Sequence, residues 1–136
     1  MKILELLTQK RFLGNQGESE ACRYLKKHGY KILRRNFVAE GAEIDIVAQC
    51  REATVFVEVK TRTRENQSPK EPRPACAVTP DKQRKIIKAS KFFQKNSEKA
   101  VRFDIIEVIY SETDPKHPVE INHLISAFNY NSAYGR

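Results

Sequence analysis

Cysteine is scarce in this chain: its 136 residues hold three, Cys22, Cys50 and Cys76. The number is odd, the spacings are wide and no Cys-x-x-Cys occurs. That argues against a disulfide framework and a structural zinc site, and for reduced thiols. No apolar run approaches the ~18 residues of a membrane span, and Glu5 interrupts Ile3-Leu4-Glu5-Leu6-Leu7 before a signal-type apolar region develops. Also missing are a glycine-rich phosphate loop, a nucleophile elbow, a histidine cluster at metal spacing and any internal repeat. The expectation is a cytoplasmic protein without membrane contact. A hydrophobic content of 40% over this length suits one domain, residues 1–136, with a polar, loose tail from about residue 129.

Positive charge is abundant. Lys and Arg total 25 against 17 Asp and Glu, a net charge of +8. Ten basic and four acidic residues fall between Arg64 and Lys99, so most of the excess sits there. A local concentration of this kind is a better sign of a polyanionic partner than the total. A solvated helix face bearing the same lysines is the plainer reading.

The informative stretch is Ala42 to Arg62. Both of its arms are β-branched and alternate with period two, the mark of a hairpin. Ile44, Ile46 and Ala48 are expected on one face of the first arm, with Glu43, Asp45 and Val47 on the other. In the second arm Phe56, Glu58, Lys60 and Arg62 share a row. Pairing centred on Arg51-Glu52 sets Asp45 opposite Glu58 and Glu43 opposite Lys60. Arg-Glu is poor chemistry for a tight two-residue turn, so a longer loop in the same register is expected. Facing carboxylates repel. A divalent cation between Asp45 and Glu58 would offset this, and hard oxygen ligands suit Mg²⁺ or Mn²⁺. Lys60 shares the face and sits where a water or phosphoryl group would lie. An exposed sheet face of mixed charge gives the same pattern.

Around the hairpin, residues 1–13 read as a short helix or a frayed end. Gly14-Asn15-Gln16-Gly17 reads as a turn into a helix that stops before His28-Gly29. Ala21, Cys22 and Leu25 mark its inward stripe. Glu18 continues that stripe, either as a first-turn carboxylate favoured by the helix dipole or aimed into a polar site. Tyr30 to Val38 reads as a strand. Arg34 and Arg35 near its end could clamp phosphates or simply line a solvated edge. Gly41 is expected to hold a bulge. Pro69, Pro72 and Pro74 mark residues 63–77 as a mobile loop, either overhanging the Glu58 strand or a plain connector. Thr79-Pro80-Asp81 starts a second helix running to about Asn96. Its inward residues are Ile86, Ile87, Ala89, Ser90 and Phe93, and Arg84, Lys88, Lys91 and Lys95 form another stripe. Val101 to Tyr110 is a strongly apolar strand placed after a helix, as in a crossover connection, and Val119 to Phe128 a last strand or strand-like segment. His123 within it fits a hydrogen-bonded core residue better than a metal ligand.

In order, then, come Glu18, Asp45 and Glu58-Val59-Lys60. This resembles the PD-(D/E)xK nuclease superfamily, and within it the YraN-type family of small bacterial endonuclease-like proteins. The resemblance runs from about Phe12 to Phe128. It is carried by Gly14-x-x-Gly17-Glu18-x-x-Ala21, Gly29-Tyr30-x-Ile32-Leu33-x-Arg35-Asn36, Glu43-Ile44-Asp45-Ile46-Val47, and Val55-Phe56-Val57-Glu58-Val59-Lys60-Thr61-Arg62. Val78 with Lys82, Ala89, Arg102-Phe103-Asp104 and His123-Leu124-Ile125-x-Ala127-Phe128 extend it. Ala42 stands where relatives usually carry glycine.

The resemblance implies an α/β fold: a restriction-endonuclease-like mixed sheet with flanking helices and an α-β-β-β-α-β core, similar to archaeal Holliday-junction resolvases. It implies Mg²⁺ (or Mn²⁺) held by Asp45, Glu58, the Val59 carbonyl and Glu18 through water, and Lys60 acting on the attacking water. The expected activity is metal-dependent cleavage of DNA, branched or repair intermediates included, with Arg34, Arg35, Arg62, Lys82, Arg84, Lys88 and Lys91 on the nucleic acid. Binding without hydrolysis, and RNA in place of DNA, stay open. Resolvase-like relatives often dimerise, which raises a homodimer as an option, but the sequence marks no dimer face.

Overall fold

In a computed structural model, the chain is described over residues 3–66, 78–95 and 97–135. Helix α1 (Ile3–Lys27) precedes strands β1 (Lys31–Ala39), β2 (Ala42–Gln49) and β3 (Ala53–Thr63), and β3 ends in a 3-10 turn at Arg64–Asn66. Helix α2 (Pro80–Gln94), strands β4 (Ala100–Tyr110) and β5 (Glu120–Phe128) and a short helix α3 (Tyr130–Tyr134) complete it. The strands lie in chain order. All neighbours are antiparallel except β3 and β4, which run parallel. A parallel pair needs a crossover, and α2 lies on that connection. The expected mixed sheet with flanking helices is therefore present. Residues 67–77, most of the expected proline-rich loop, lie outside the described residues.

The middle strands are buried on both faces of the sheet, while β1 and β5 at its edges stay largely exposed or half-buried. Ala21, Cys22 and Leu25 of α1 pack on Ile46, Ala48, Val55, Val57 and Val108. On the opposite face Ile86, Ile87 and Ala89 of α2 pack on Val47, Phe56 and Ile105, joined by Ala133 of α3. Burial on both faces explains why the middle strands read as nearly continuous apolar runs. The second helix starts as the sequence predicts, Thr79 Oγ1 accepting from Lys82 N at 3.2 Å with proline in the first turn.

Several local expectations change. Gly14 to Gly17 is no turn: α1 runs through it unbroken from Ile3. Gly17 is buried against β3, and a Cβ there would overlap Thr61 Oγ1. The glycine serves close helix–sheet contact at the expense of helix propensity. Gly41 forms no bulge. Glu40 and Gly41, with φ of 53° and 75°, are the two central residues of a tight turn closed by Ala39 and Ala42. Positive φ at both positions is the hairpin turn matched to strand twist. The β2–β3 connection is short rather than long, Cys50 N donating to Ala53 O at 3.0 Å. The tail is not loose. Asn129 and Ser132 cap α3 reciprocally and Gly135 ends it in a left-handed conformation.

His123 is the hydrogen-bonded core residue expected. Its Nε2 lies 2.7 Å from Asp104 Oδ2, and its Nδ1 3.3 Å from Tyr24 Oη on α1. Arg102 donates twice to Asp104 and once to Tyr30 Oη, at 2.6 Å. Burial pushes the Asp104 pKa up, but the hydrogen bonds from His123, Arg102 and Ser126 N outweigh it and hold the carboxyl below its usual range. This network ties the C-terminal end of α1 to the far half of the sheet.

Gly17→Val should force α1 off β3. A loss of about 1–3 kcal/mol is expected from overpacking, read as a lower urea midpoint. Adding Thr61→Ala should restore part of that loss.

Candidate active site

β3 is longer than β2, and the site forms where their ladder stops. The pairing runs from Gln49↔Thr54 to Ile46↔Val57, the register expected from sequence. The next residues in that register are Asp45 and Glu58. Here Asp45 Oδ2 accepts from Val59 N at 2.8 Å. The side chain so takes the place of a strand partner and satisfies an N–H that the ended ladder leaves over. Strict alternation also fails at this point. Ile44 packs with Val47 in the α2-side cluster, not with Ile46 and Ala48. That break leaves the Asp45 carboxylate at the sheet's open seam, lining a cleft on either side. One, of about 670 Å³, is shared with Glu18, Glu58 and Lys60. The other, of about 460 Å³, is shared with Glu43, Lys82 and Lys85.

Three carboxylates converge. Oxygens of Glu18, Glu43 and Asp45 lie within 4.8 Å of one another. Burial is the main cause of Asp45's raised pKa, and the negative charges of Glu58 and Glu18 add to it. Together they overcome the Val59 hydrogen bond and push it up to about 8. Burial also raises Glu18, as do the charges of Glu43 and Glu58, against a hydrogen bond from Asp45 and the charge of Arg35. A hydrogen bond between the two carboxyls lowers the Glu18 pKa and raises that of Asp45.

Glu58 is buried and differently compensated. Lys82 Nζ lies 2.5 Å from its Oε1 and Lys60 Nζ 3.6 Å. Burial alone would lower the Lys82 pKa. The hydrogen bond and charge of Glu58, with Asp45 behind it, outweigh that and raise it.

The other expected nucleic-acid contacts divide. Lys82 belongs to the carboxylate site and is not a free surface cation. Arg35 pairs with Glu18 at 3.7 Å, and Arg62 pairs with buried Glu107 at 3.0 Å. Arg34 is exposed over the Phe37 ring. On α2, Lys88 and Lys91 are exposed and Arg84 half-exposed. Lys88 reaches Glu40 at 3.4 Å. Two members join the site only in the structure. Sequence register sets Glu43 opposite Lys60, and its spacing from Asp45 is the signal that points to the acidic set. Lys82 is expected on phosphate, and the docking of α2 brings it to Glu58.

The donor set suits a hard divalent cation: carboxylates only, partly buried, with more negative charge than the cluster can hold ionised. The fold and the site together define a restriction-endonuclease-like α/β domain with an acidic, lysine-flanked seam. Residues 17–108 match the uncharacterised protein family UPF0102. A UPF0102 protein of Geobacter metallireducens is 45% identical over 119 residues, covering 85% of this chain and 91% of that one. Another, from Caldanaerobacter subterraneus subsp. tengcongensis, is 41% identical over 122 residues, 88% of this chain and 96% of its own. The chain belongs to UPF0102, the YraN-type family. Among the described residues no helix is long and apolar enough to cross a membrane.

The raised Asp45 pKa has a signed consequence for the metal-free protein. The native state holds this proton up to about pH 8 and the unfolded chain only to about 3.8. Asp45 therefore favours folding at low pH, and that contribution is lost as pH rises toward 8. In EDTA, Asp45→Asn should raise the melting temperature by a few degrees, on the order of 1–2 kcal/mol, above pH 7 and by little near pH 4. Melting curves of the two proteins across that range check it.

Proposed function

We propose that the chain is a cytoplasmic, metal-dependent nuclease that hydrolyses phosphodiester bonds, DNA being the preferred substrate and branched or repair intermediates included. One observation carries the reading: at the end of the β2–β3 ladder, Asp45 gathers with Glu18 and Glu43 beside Glu58 and Lys60. A structural role would not explain collecting repelling carboxylates at a buried seam, because it leaves Asp45 neutral only at a cost in stability. In this reading Asp45, Glu58 and Glu18 hold Mg²⁺ or Mn²⁺ with the Val59 carbonyl, and Glu43 completes the acidic set. Such an ion supplies Lewis-acid polarisation of the phosphoryl oxygens.

The chain's own groups do the rest. Lys60 orients the attacking water and offsets negative charge growing on the phosphoryl oxygens. The new bond joins water oxygen to phosphorus as the bond to the leaving oxygen breaks; the water proton passes to solvent or a site base, and the leaving oxygen takes up a proton from solvent to become the hydroxyl product. Val59 N–H fixes Asp45, so its carboxylate need not reorganise during the reaction.

A second reading, nucleic-acid binding without hydrolysis, draws on the Lys82–Glu58 contact at 2.5 Å. There a lysine already neutralises the carboxylate that a cation would need.

Cleavage of labelled duplex, single-strand, flap and four-way-junction DNA with Mg²⁺, Mn²⁺ or EDTA separates the two. Wild type should cut only with metal, and Asp45→Ala should lower the rate at least about a hundredfold with affinity nearly unchanged. Salt-sensitive binding by both proteins without cutting would instead support the binding module. Equal metal-dependent cutting by both would remove Asp45 from the mechanism.

A further inference from the structure

The exposed surface of α2 and α3 carries a feature that hydrolysis does not use. Tyr130 and Tyr134 stack on each other, centroids 4.3 Å apart and planes 24° from parallel. They nonetheless remain 58% and 42% exposed. Their helix is fixed rather than frayed: Ala133 is fully buried, Arg84 donates to its carbonyl at 2.7 Å, and Ser132 donates to Gln83 at 2.9 Å. Lys91 Nζ stands 6.0 Å from the Tyr130 centroid, and the Arg84 guanidinium 6.0 Å from that of Tyr134. Phe92, 45% exposed, lies one turn beyond Lys88 on α2.

From these observations we infer that Tyr130 and Tyr134, with Arg84, Lys88 and Lys91, form a stacking platform for the unpaired bases of a single-stranded nucleic acid. Rigid aromatic faces interleaved with cations match a chain that offers a π-face at every base and a negative charge at every phosphate. A protein partner fits less well, because interface cores are depleted of lysine. The platform is continuous with the seam. Lys85 lies on the exposed face of α2 between Lys88 and Lys82, and it lines a cleft with Asp45 and Glu58. A strand crossing α2 would thus pass from stacked bases to the carboxylates. The inference rests on the nucleic-acid reading above and adds to it the substrate class: DNA or RNA with a single-stranded part beside the cleaved bond.

Fluorescence anisotropy of labelled 15-nucleotide oligo-dT and oligo-U, and of a duplex, tests it in EDTA, so that catalysis plays no part. The proteins are wild type, Tyr130→Ala/Tyr134→Ala and Tyr130→Phe/Tyr134→Phe. The alanine pair should weaken single-strand binding at least about tenfold and duplex binding less than about threefold. The phenylalanine pair should bind like wild type, since the ring faces remain. Preference for oligo-dT or oligo-U would name the sugar without altering the platform. Unchanged single-strand binding by the alanine pair overturns the platform and leaves the nuclease reading standing. Equal loss on duplex, or a dimer of wild type abolished by the alanine pair with single-strand binding intact, overturns it too. Failure of wild type to bind any of the three probes overturns the nucleic-acid reading and the platform together.

Discussion

The hydrogen bond from Val59 N to Asp45 Oδ2 is the constraint on which the site depends. β3 outlasts its antiparallel partner while staying paired to β4 through Thr63. Its free side needs an acceptor where β2 departs. A side chain supplies one, and the donor that satisfies the backbone also fixes a carboxylate. From that position the remaining geometry follows. Gly17 lets α1 lie directly on Thr61, which brings Glu18 in from one face. The N-terminal turn of α2, capped by Thr79, brings Lys82 in from the other.

The electrostatics are of two kinds at neighbouring positions. Glu58 is compensated by lysines from β3 and α2. Among the described residues, the ion pair that reaches Asp45, Glu18 and Glu43 is that of Arg35 with Glu18, and Lys82, paired to Glu58, feels the charge of Asp45. The first arrangement is self-sufficient, whereas the second relieves itself by keeping a proton to an unusually high pH. A cation would displace that proton and make the acidic set favourable. An excess of negative charge, only partly offset among the described residues, is therefore the physical basis for reading the seam as a site and not as a salt-bridged surface.

Much of this was legible in the sequence because it depends on period and register. Alternation in two β-branched arms gave the hairpin, and the hairpin's register brought Asp45 to Glu58 with Lys60 alongside. Thr79-Pro80 marked the start of α2. What was illegible depends on how elements approach each other. Gly14 and Gly17 look like turn residues, yet Gly17 answers to the crowding of Thr61 across a helix–sheet contact. Ile44 keeps the sequence's alternation but not the structure's, because β2 leaves the ladder beside it. The tail from Asn129 is polar by composition, but its helix is held by Gln83 and Arg84, residues some 49 positions earlier. Of the cations expected on phosphate, Lys82, Arg35 and Arg62 pair within the chain with Glu58, Glu18 and Glu107, which only tertiary contact decides.

The central claim is that the carboxylates at the seam form a divalent-cation site. Calorimetric titration of Mn²⁺ into metal-free wild type and Asp45→Asn tests it directly. The account predicts saturable binding by wild type, with proton release at pH 7 as Asp45 ionises, and its loss in the variant. Equal binding by both proteins, or no binding by wild type, would contradict it.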